Sequence, residues 1–387
     1  MARKIAEELA FFGQSIWLDN INRSIIETGK LKEMIDKGLR GMTSNPTIFD
    51  KAISKSNDYD DKIIELCKQN KSTFQIYDDL TIRDIQEAAD IFKPVYESTR
   101  GIDGYVSLEI NPQLALKTKE TIEEGKRLHK KVDRPNVMFK VPSTDAGFEA
   151  IEEFLASGIN VNITLIFSLE QYKKTAQAFL RGLKRMYESK KDISKIASVA
   201  SVFVSRIDTV VDKELDELTK KTSDESRKRA LEALKGKAAV ANSKRIFQKY
   251  LEIFSGKEFQ ALKEKGAKLQ RVLWGSTGTK NPDYSDIKYV SELIGKNTIN
   301  TLPDNTFEAF LDHGKIHEAL TSDDQTAQSV IDKLKDLGID IDVAVVEQAR
   351  QNIENWGLSD KFMIMEGDIC SPPEGIEGSF DLITLYN

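Results

Sequence analysis

An α/β fold, a closed parallel (β/α)8 barrel with helical insertions, is what this sequence predicts. Three observations predict it. Eight short apolar runs recur, at 15–19, 38–44, 104–110, 136–141, 159–166, 196–204, 269–274 and 298–302. Helical segments separate them, and strands alternating with helices build a parallel sheet. The turn after the first run lacks the glycine-rich fingerprint of a doubly wound nucleotide-binding sheet, which favours the barrel.

Taken in order, residues 1–10 form an amphipathic helix with acidic side chains, unlike a leader peptide. Helices follow at 58–69, 73–98, 112–132, 148–156 and 169–188. A chain of 387 residues exceeds the roughly 250 typical of this barrel, so two stretches read as insertions, near 50–101 and 208–266. The second is charged, with Glu and Lys at helix-compatible spacing. A coiled-coil module is one reading of it. Helices lying against the barrel explain its apolar residues more simply. Residues 332–337 form the last barrel helix, and the barrel unit spans 1–342. Residues 343–387 differ in character, with a helix through 347–353 and strand-like runs at 362–366 and 380–386.

Composition narrows the function classes. A net charge of -6, from 56 basic and 62 acidic residues, argues against a general nucleic-acid binder but allows a local basic pocket. Cys67 and Cys370 are too few for a disulfide framework or a Cys-rich zinc site. His313 and His317 lie four apart without the metalloprotease order, and together with His129 read as surface residues, so no metal is expected. No run approaches the ~20 apolar residues of a membrane span. The expectation is a soluble cytoplasmic protein.

The chemistry centres on Lys140, inside the apolar run Asn136-Val137-Met138-Phe139-Lys140-Val141-Pro142. A buried lysine is costly, and a neutral amine attacks carbonyls, which points to Schiff-base chemistry. Strand periodicity places other polar residues on common faces: Ser107 with Glu109, Asn160 with Asn162 and Thr164, Ser201 with Phe203 and Ser205. Asp19 ends the first run, and Thr43 and Asn45 lie at the end of the second. Most fall at strand carboxyl ends, the catalytic face of a parallel barrel. Each has a plainer reading as well. A strand-end Asp or Asn caps the next helix, and Ser201 fills a small gap. Arg206, just beyond a strand, suits a phosphate through its planar fork. The turn Ser276-Thr277-Gly278-Thr279-Lys280 offers backbone amides, hydroxyls and a cation to an anion, without P-loop spacing.

These segments resemble the transaldolase family, in its longer form, over residues 10–341. The resemblance rests on Trp17-Leu18-Asp19, Thr43-Ser44-Asn45-Pro46-Thr47, Phe139-Lys140-Val141-Pro142, Asn160-Val161-Asn162-Ile163-Thr164-Leu165 and Phe203-Val204-Ser205-Arg206. It implies Lys140 as the Schiff-base lysine and Asp19 as the acid/base at the cleaved bond. Glu109 becomes the carboxylate relaying a proton through water that Thr164 positions. Asn45 and Asn162 become ligands of substrate hydroxyls, Ser201 and Phe203 pocket residues, and Arg206 the main phosphate ligand with Ser276 and Lys280 beside it. It further implies sugar phosphate substrates, no cofactor, a monomer or homodimer, and a place in the pentose phosphate pathway. A fructose-6-phosphate-type aldolase and an impaired barrel acting as a scaffold are the competing readings. Residues 343–387 instead resemble an incomplete piece of a class I methyltransferase using S-adenosylmethionine. The matching residues are Glu366-Gly367-Asp368 and Phe380-Asp381-Leu382-Ile383, and a fusion or frameshift junction near Asp342 is the expectation.

Overall fold

A computed structural model describes residues 2–321 and 325–341. Cys370 and the methyltransferase-like reading of 343–387 lie outside them. The strands are β1 (Gln14–Asp19), β2 (Leu39–Thr43), β3 (Tyr105–Glu109), β4 (Val137–Pro142), β5 (Val161–Ile166), β6 (Ser198–Phe203), β7 (Arg271–Gly275) and β8 (Thr298–Leu302). They pair in chain order, and β8 closes onto β1 as a parallel neighbour, giving an eight-stranded barrel. Each expected run holds one strand.

Alternation along each strand separates two cores. Outward residues such as Ile16, Leu18, Val106, Phe139, Val161 and Ile163 join the core beneath the helices. Trp17, Tyr105, Met138, Val199, Leu273 and Ile299 form a separate inner cluster that fills the lower barrel. Gly41 faces Trp17 in register, and a Cβ there would stand 2.5 Å from the indole. The glycine is the space the tryptophan occupies. Below this layer Arg271 pairs with Asp103 at 2.8 Å, and both bond Ser15. A cavity of about 220 Å³ opens at this amino-terminal end, away from the strand ends that carry the candidate chemistry.

The helices follow the expected order with one break. The stretch expected as a single helix at 112–132 divides into a short turn, Pro112–Leu114, and the helix Thr118–Val132. Asn111 caps the turn at Gln113, and the Thr121 hydroxyl bonds the Leu114 carbonyl, so local side chains take the backbone groups a continuous helix would use. Near 50–101, Thr73–Ser98 is the crossover helix from β2 to β3 and opens with a capping box at Ser72 and Gln75. Pro46–Ser54 and Asp60–Lys68 add a small cluster of Ile53, Tyr59, Leu66, Ile76 and Leu80. A buried triad joins this region to the helix after β1: Arg23 and Tyr59 both bond Asp84 at 2.7 Å. The charged 208–266 region forms the helices Ser205–Lys221, Glu225–Glu232, Ala238–Ser255 and Lys257–Lys263. Ala238–Ser255 packs on the barrel helix Leu169–Glu188 and on the helix Gln325–Asp336. Among the described residues no helix is long and apolar enough to cross a membrane.

Candidate active site

Lys140 comes from β4 with its neighbours set by strand register. Glu109 on β3 pairs with Lys140, and Lys140 pairs with Asn162 on β5. Its residue surface is 7 % exposed. The ammonium donates to Glu109 Oε2 at 2.9 Å and to the Ser44 carbonyl at 3.0 Å. One N–H direction remains. The apolar residues Phe139 and Val141 on either side face outward into the helix core, so the strand is anchored and the lysine points inward, above Met138.

Asp19 ends β1 in register with Thr43. The Thr43 hydroxyl lies 2.8 Å from Asp19 Oδ1, 2.9 Å from the Thr301 hydroxyl and 3.4 Å from the Leu18 carbonyl. Asp19 keeps part of its residue surface open to the barrel mouth, yet protein encloses the carboxylate enough for burial to be the largest influence on it. Burial raises its pKa above the ordinary carboxylate value, and Asp304 adds to the rise. The charges of Lys140 and Arg206 and the Thr43 hydrogen bond pull the other way. A carboxylate so placed is a stronger base than one in water. Asn20 holds Asp304 through a 2.6 Å bond.

Below the lysine, Asn162 bridges two strands. Its amide donates to Ser107 Oγ at 3.0 Å and accepts from Ser201 Oγ at 2.6 Å. Asn162 is fully buried, and its amide keeps one further N–H and one lone pair. Thr164 is buried two residues further along the same face of β5. Asn45 caps the helix Pro46–Ser54, its Oδ1 accepting from the Ile48 N–H at 2.9 Å. The cap reading is therefore correct, and it also turns the amide nitrogen away from the helix.

The cationic part lies beyond β6 and β7. Arg206 is the second residue of the helix Ser205–Lys221, and its guanidinium lies over the Phe203 ring at 5.2 Å. Phe203 packs in turn on Phe167, with ring centroids 5.3 Å apart. Among the described residues neither Arg206 nor Lys280 has a side-chain hydrogen bond or ion pair. Burial lowers the pKa of both, and the Arg206 charge lowers that of Lys280 further. Two neighbouring cations with no ion-pair partner among the described residues are an arrangement an anion would relieve, although the Asp19 charge favours the Arg206 cation from a distance. Ser276 adopts a left-handed φ of 53° just after β7, and its hydroxyl meets that of Ser205 at 3.2 Å.

Direct contacts thus join Lys140 with Glu109, and Asn162 with Ser201. Thr164, Asn45, Phe203, Arg206, Ser276 and Lys280 take their places from strand ends at the same rim. The Ser44 carbonyl, Thr301 and Asp304, which contact or bias Lys140, Thr43 and Asp19, were not among the expected site residues. Thr301 was within reach, since it shares a face with Ile299 at a strand end. The carbonyl and the loop contacts carry no sequence signal.

The fold and these contacts define a class: a (β/α)8 barrel enzyme with a buried lysine–carboxylate centre at the carboxyl ends of its strands. The family model described as Transaldolase/Fructose-6-phosphate aldolase matches residues 16–361. A protein of Trichodesmium erythraeum named Transaldolase is 48 % identical over 343 residues, covering 88 % of this chain and 90 % of that protein. Transaldolase 2 of Nostoc sp. is 46 % identical over 341 residues, 88 % and 90 % of the two chains. A Mycobacterium marinum protein named Transaldolase is 42 % identical over 359 residues, 92 % and 94 %. The chain belongs to the transaldolase family, in its long form. It is a transferase with transaldolase-type activity in sugar-phosphate interconversion.

Proposed function

We propose that the chain moves a three-carbon dihydroxyacetone unit from a ketose phosphate to an aldose phosphate through a Schiff base on Lys140. Fructose 6-phosphate and sedoheptulose 7-phosphate are the donors, and erythrose 4-phosphate and glyceraldehyde 3-phosphate the acceptors. The observation that carries this reading is Lys140 Nζ, buried and donating to Glu109 at 2.9 Å, on the same rim as a basic Asp19.

In this reading the 2.9 Å bond is the path by which Lys140 hands its proton to Glu109 and becomes a free amine. The amine adds to the ketose C2 carbonyl. Glu109, now an acid, returns the proton through water positioned by Thr164, and the carbinolamine loses its hydroxyl as water. Asp19 takes the C4 hydroxyl proton, the C3–C4 bond breaks, and its electron pair passes into the iminium to form an enamine. The aldose phosphate leaves. The enamine adds to the acceptor aldehyde, Asp19 returns its proton, and hydrolysis frees Lys140. The iminium is the electron sink, so the cycle balances with no metal or organic cofactor.

Asn45 and Asn162 hold substrate hydroxyls with the amide positions their own contacts leave free, and Ser201 and Phe203 wall the pocket. Arg206, with Ser276 and Lys280, receives the phosphate. The substrates are free sugar phosphates, and a cytoplasmic protein acting without nucleic acid or membrane, as monomer or homodimer, belongs to this reading. The same proposal treats 1–342 as the barrel unit, with insertions near 50–101 and 208–266, and 343–387 as a separate tail. The family match runs past that division to residue 361.

The test is borohydride trapping with fructose 6-phosphate, followed by peptide mass spectrometry. A reduced three-carbon adduct on Lys140 is expected. A folded sample with no adduct at Lys140 would end the proposal. Product that forms at the same rate without an acceptor would replace transfer by simple aldol cleavage.

A further inference from the structure

The helix Ser205–Lys221 carries Arg206 as its second residue and Asp208 and Asp212 within the next two turns. Both carboxylates reach toward the segment that follows β7. Asp212 Oδ2 accepts from the Tyr284 hydroxyl at 2.7 Å, and its Oδ1 accepts from the Gly236 N–H at 2.9 Å. Asp208 Oδ2 accepts from the Tyr289 hydroxyl at 2.9 Å, and its Oδ1 accepts from the Ala239 N–H at 2.8 Å. Each carboxylate therefore spends one oxygen on the 276–289 segment and the other on the start of the helix Ala238–Ser255, Asp212 on the turn before it and Asp208 on its first turn. The start of the helix Ala238–Ser255 and the loop with Lys280 are thus both gripped by the helix that presents Arg206.

The turn is shaped around one tyrosine. Gly236 has a φ of 67°, and a Cβ added there would stand 2.7 Å from Tyr284 Cζ. Any other residue would push the ring off Asp212. Within the loop the Thr279 hydroxyl bonds the Ser285 carbonyl at 2.8 Å, and the Tyr284 N–H bonds the Asn281 carbonyl at 3.2 Å. A displacement of Tyr284 is thereby passed to Lys280. The physical need for such a grip is plain. Arg206 and Lys280 repel one another when no anion lies between them, and a lysine on a free loop would move away. Holding the loop keeps both cations ready for a phosphate before it arrives.

We propose that Tyr284, clamped by Asp212 and the Gly236 turn, is a positioning residue that sets the preference for phosphorylated over unphosphorylated ketoses by fixing Lys280 relative to Arg206. The 208–266 insertion is then a brace for the phosphate end of the pocket. This rests on the phosphate role proposed for Arg206.

Fructose 6-phosphate and fructose differ only in the phosphate, so rates of borohydride-trapped adduct with each separate the possibilities. Tyr284→Phe is expected to raise the KM for fructose 6-phosphate by about three- to tenfold, the size a small misplacement of a binding group produces, and to leave the rate with fructose unchanged. Asp212→Asn and Gly236→Ala approach the same contact from the other side and should reproduce the selective loss. Arg206→Ala is run alongside. Selective loss in Arg206→Ala with no selective loss in Tyr284→Phe and Asp212→Asn overturns the clamp and leaves the phosphate site standing. Equal loss on both ketoses in Arg206→Ala overturns the phosphate site and the clamp with it. Gly236→Ala can disturb folding through its positive φ, and Tyr284→Phe, which keeps the ring, carries the test without it.

Discussion

Replacing Thr43 by valine keeps the shape of the side chain and removes one hydroxyl. That hydroxyl is 2.8 Å from Asp19 Oδ1, where it stabilises the ionised carboxylate and lowers its pKa. Hydrogen bonds to charged groups contribute roughly 1.5–3 kcal/mol. Losing this one should raise the Asp19 pKa further, on top of the rise that burial and Asp304 already cause. In the proposed cycle Asp19 must be ionised to take the C4 proton. The acidic limb of kcat/KM against pH therefore moves to higher pH in Thr43→Val, while the rate well above the limb falls far less. Thr43→Ser should restore the limb. Thr301→Val should shift it in the same direction by less, because Thr301 acts on Asp19 only through the 2.9 Å contact between the two hydroxyls. Stability follows the same sign. The native state holds the Asp19 proton more tightly than the unfolded chain does. That contribution is complete below the unfolded pKa and is lost as pH rises through the native one, and the valine variant extends the window upward. The assay is a pH series of initial rates at low fructose 6-phosphate. An unmoved acidic limb, or an equal loss at every pH, would refute the reasoning.

Three further outcomes are expected. Lys140→Met should abolish the trapped adduct and leave the Glu109 carboxylate buried alone, costing roughly 3–5 kcal/mol, and adding Glu109→Gln should recover most of it. Denaturant titration of the single and double variants measures this, and equal stability of the two would contradict it. Asp208 is held at a pKa of about 6, above the ordinary 3.8, mainly by burial. Stability from this group is present below the lower value and lost as pH climbs through the upper, roughly 3 kcal/mol in all. Asp208→Asn should flatten the fall in melting temperature between those two values, and an unchanged slope would show that Asp208 does not set it. Gly41→Ala places a methyl 2.5 Å from the Trp17 indole and should cost about 1–3 kcal/mol in thermal unfolding, with no loss if the ring has room to retreat.

The barrel was legible in the chain because strand burial leaves a local trace. Strands covered on both faces must be apolar nearly throughout, so each appears as a short run, and the polar exceptions stand out against it. Lys140, Asn162 and Ser201 were found for that reason. Arg206 was found because it lies just beyond such a run. Helix ends at Thr73 and Leu169 were equally clear, since Ser72 and Ser168 cap them through neighbours three residues away. The turn at Pro112–Leu114 was not, because Thr121 competes for the backbone in a way that composition does not report.

What the sequence determined by itself is therefore the alternation of strands and helices and most of the polar side chains facing the barrel interior, Thr301 excepted. Both depend on residues within a few positions of one another. The tertiary structure alone decided which of those side chains meet. Register across β3 and β4 puts Glu109 beside Lys140, and closure of β8 on β1 brings Thr301 near Thr43 across the barrel mouth. It also decided what the 208–266 helices touch. Their Asp212 meets Tyr284 across 72 residues of chain, and no local pattern encodes a contact made at that separation. Side-chain direction is a property of the strand, whereas partnership is a property of the closed barrel.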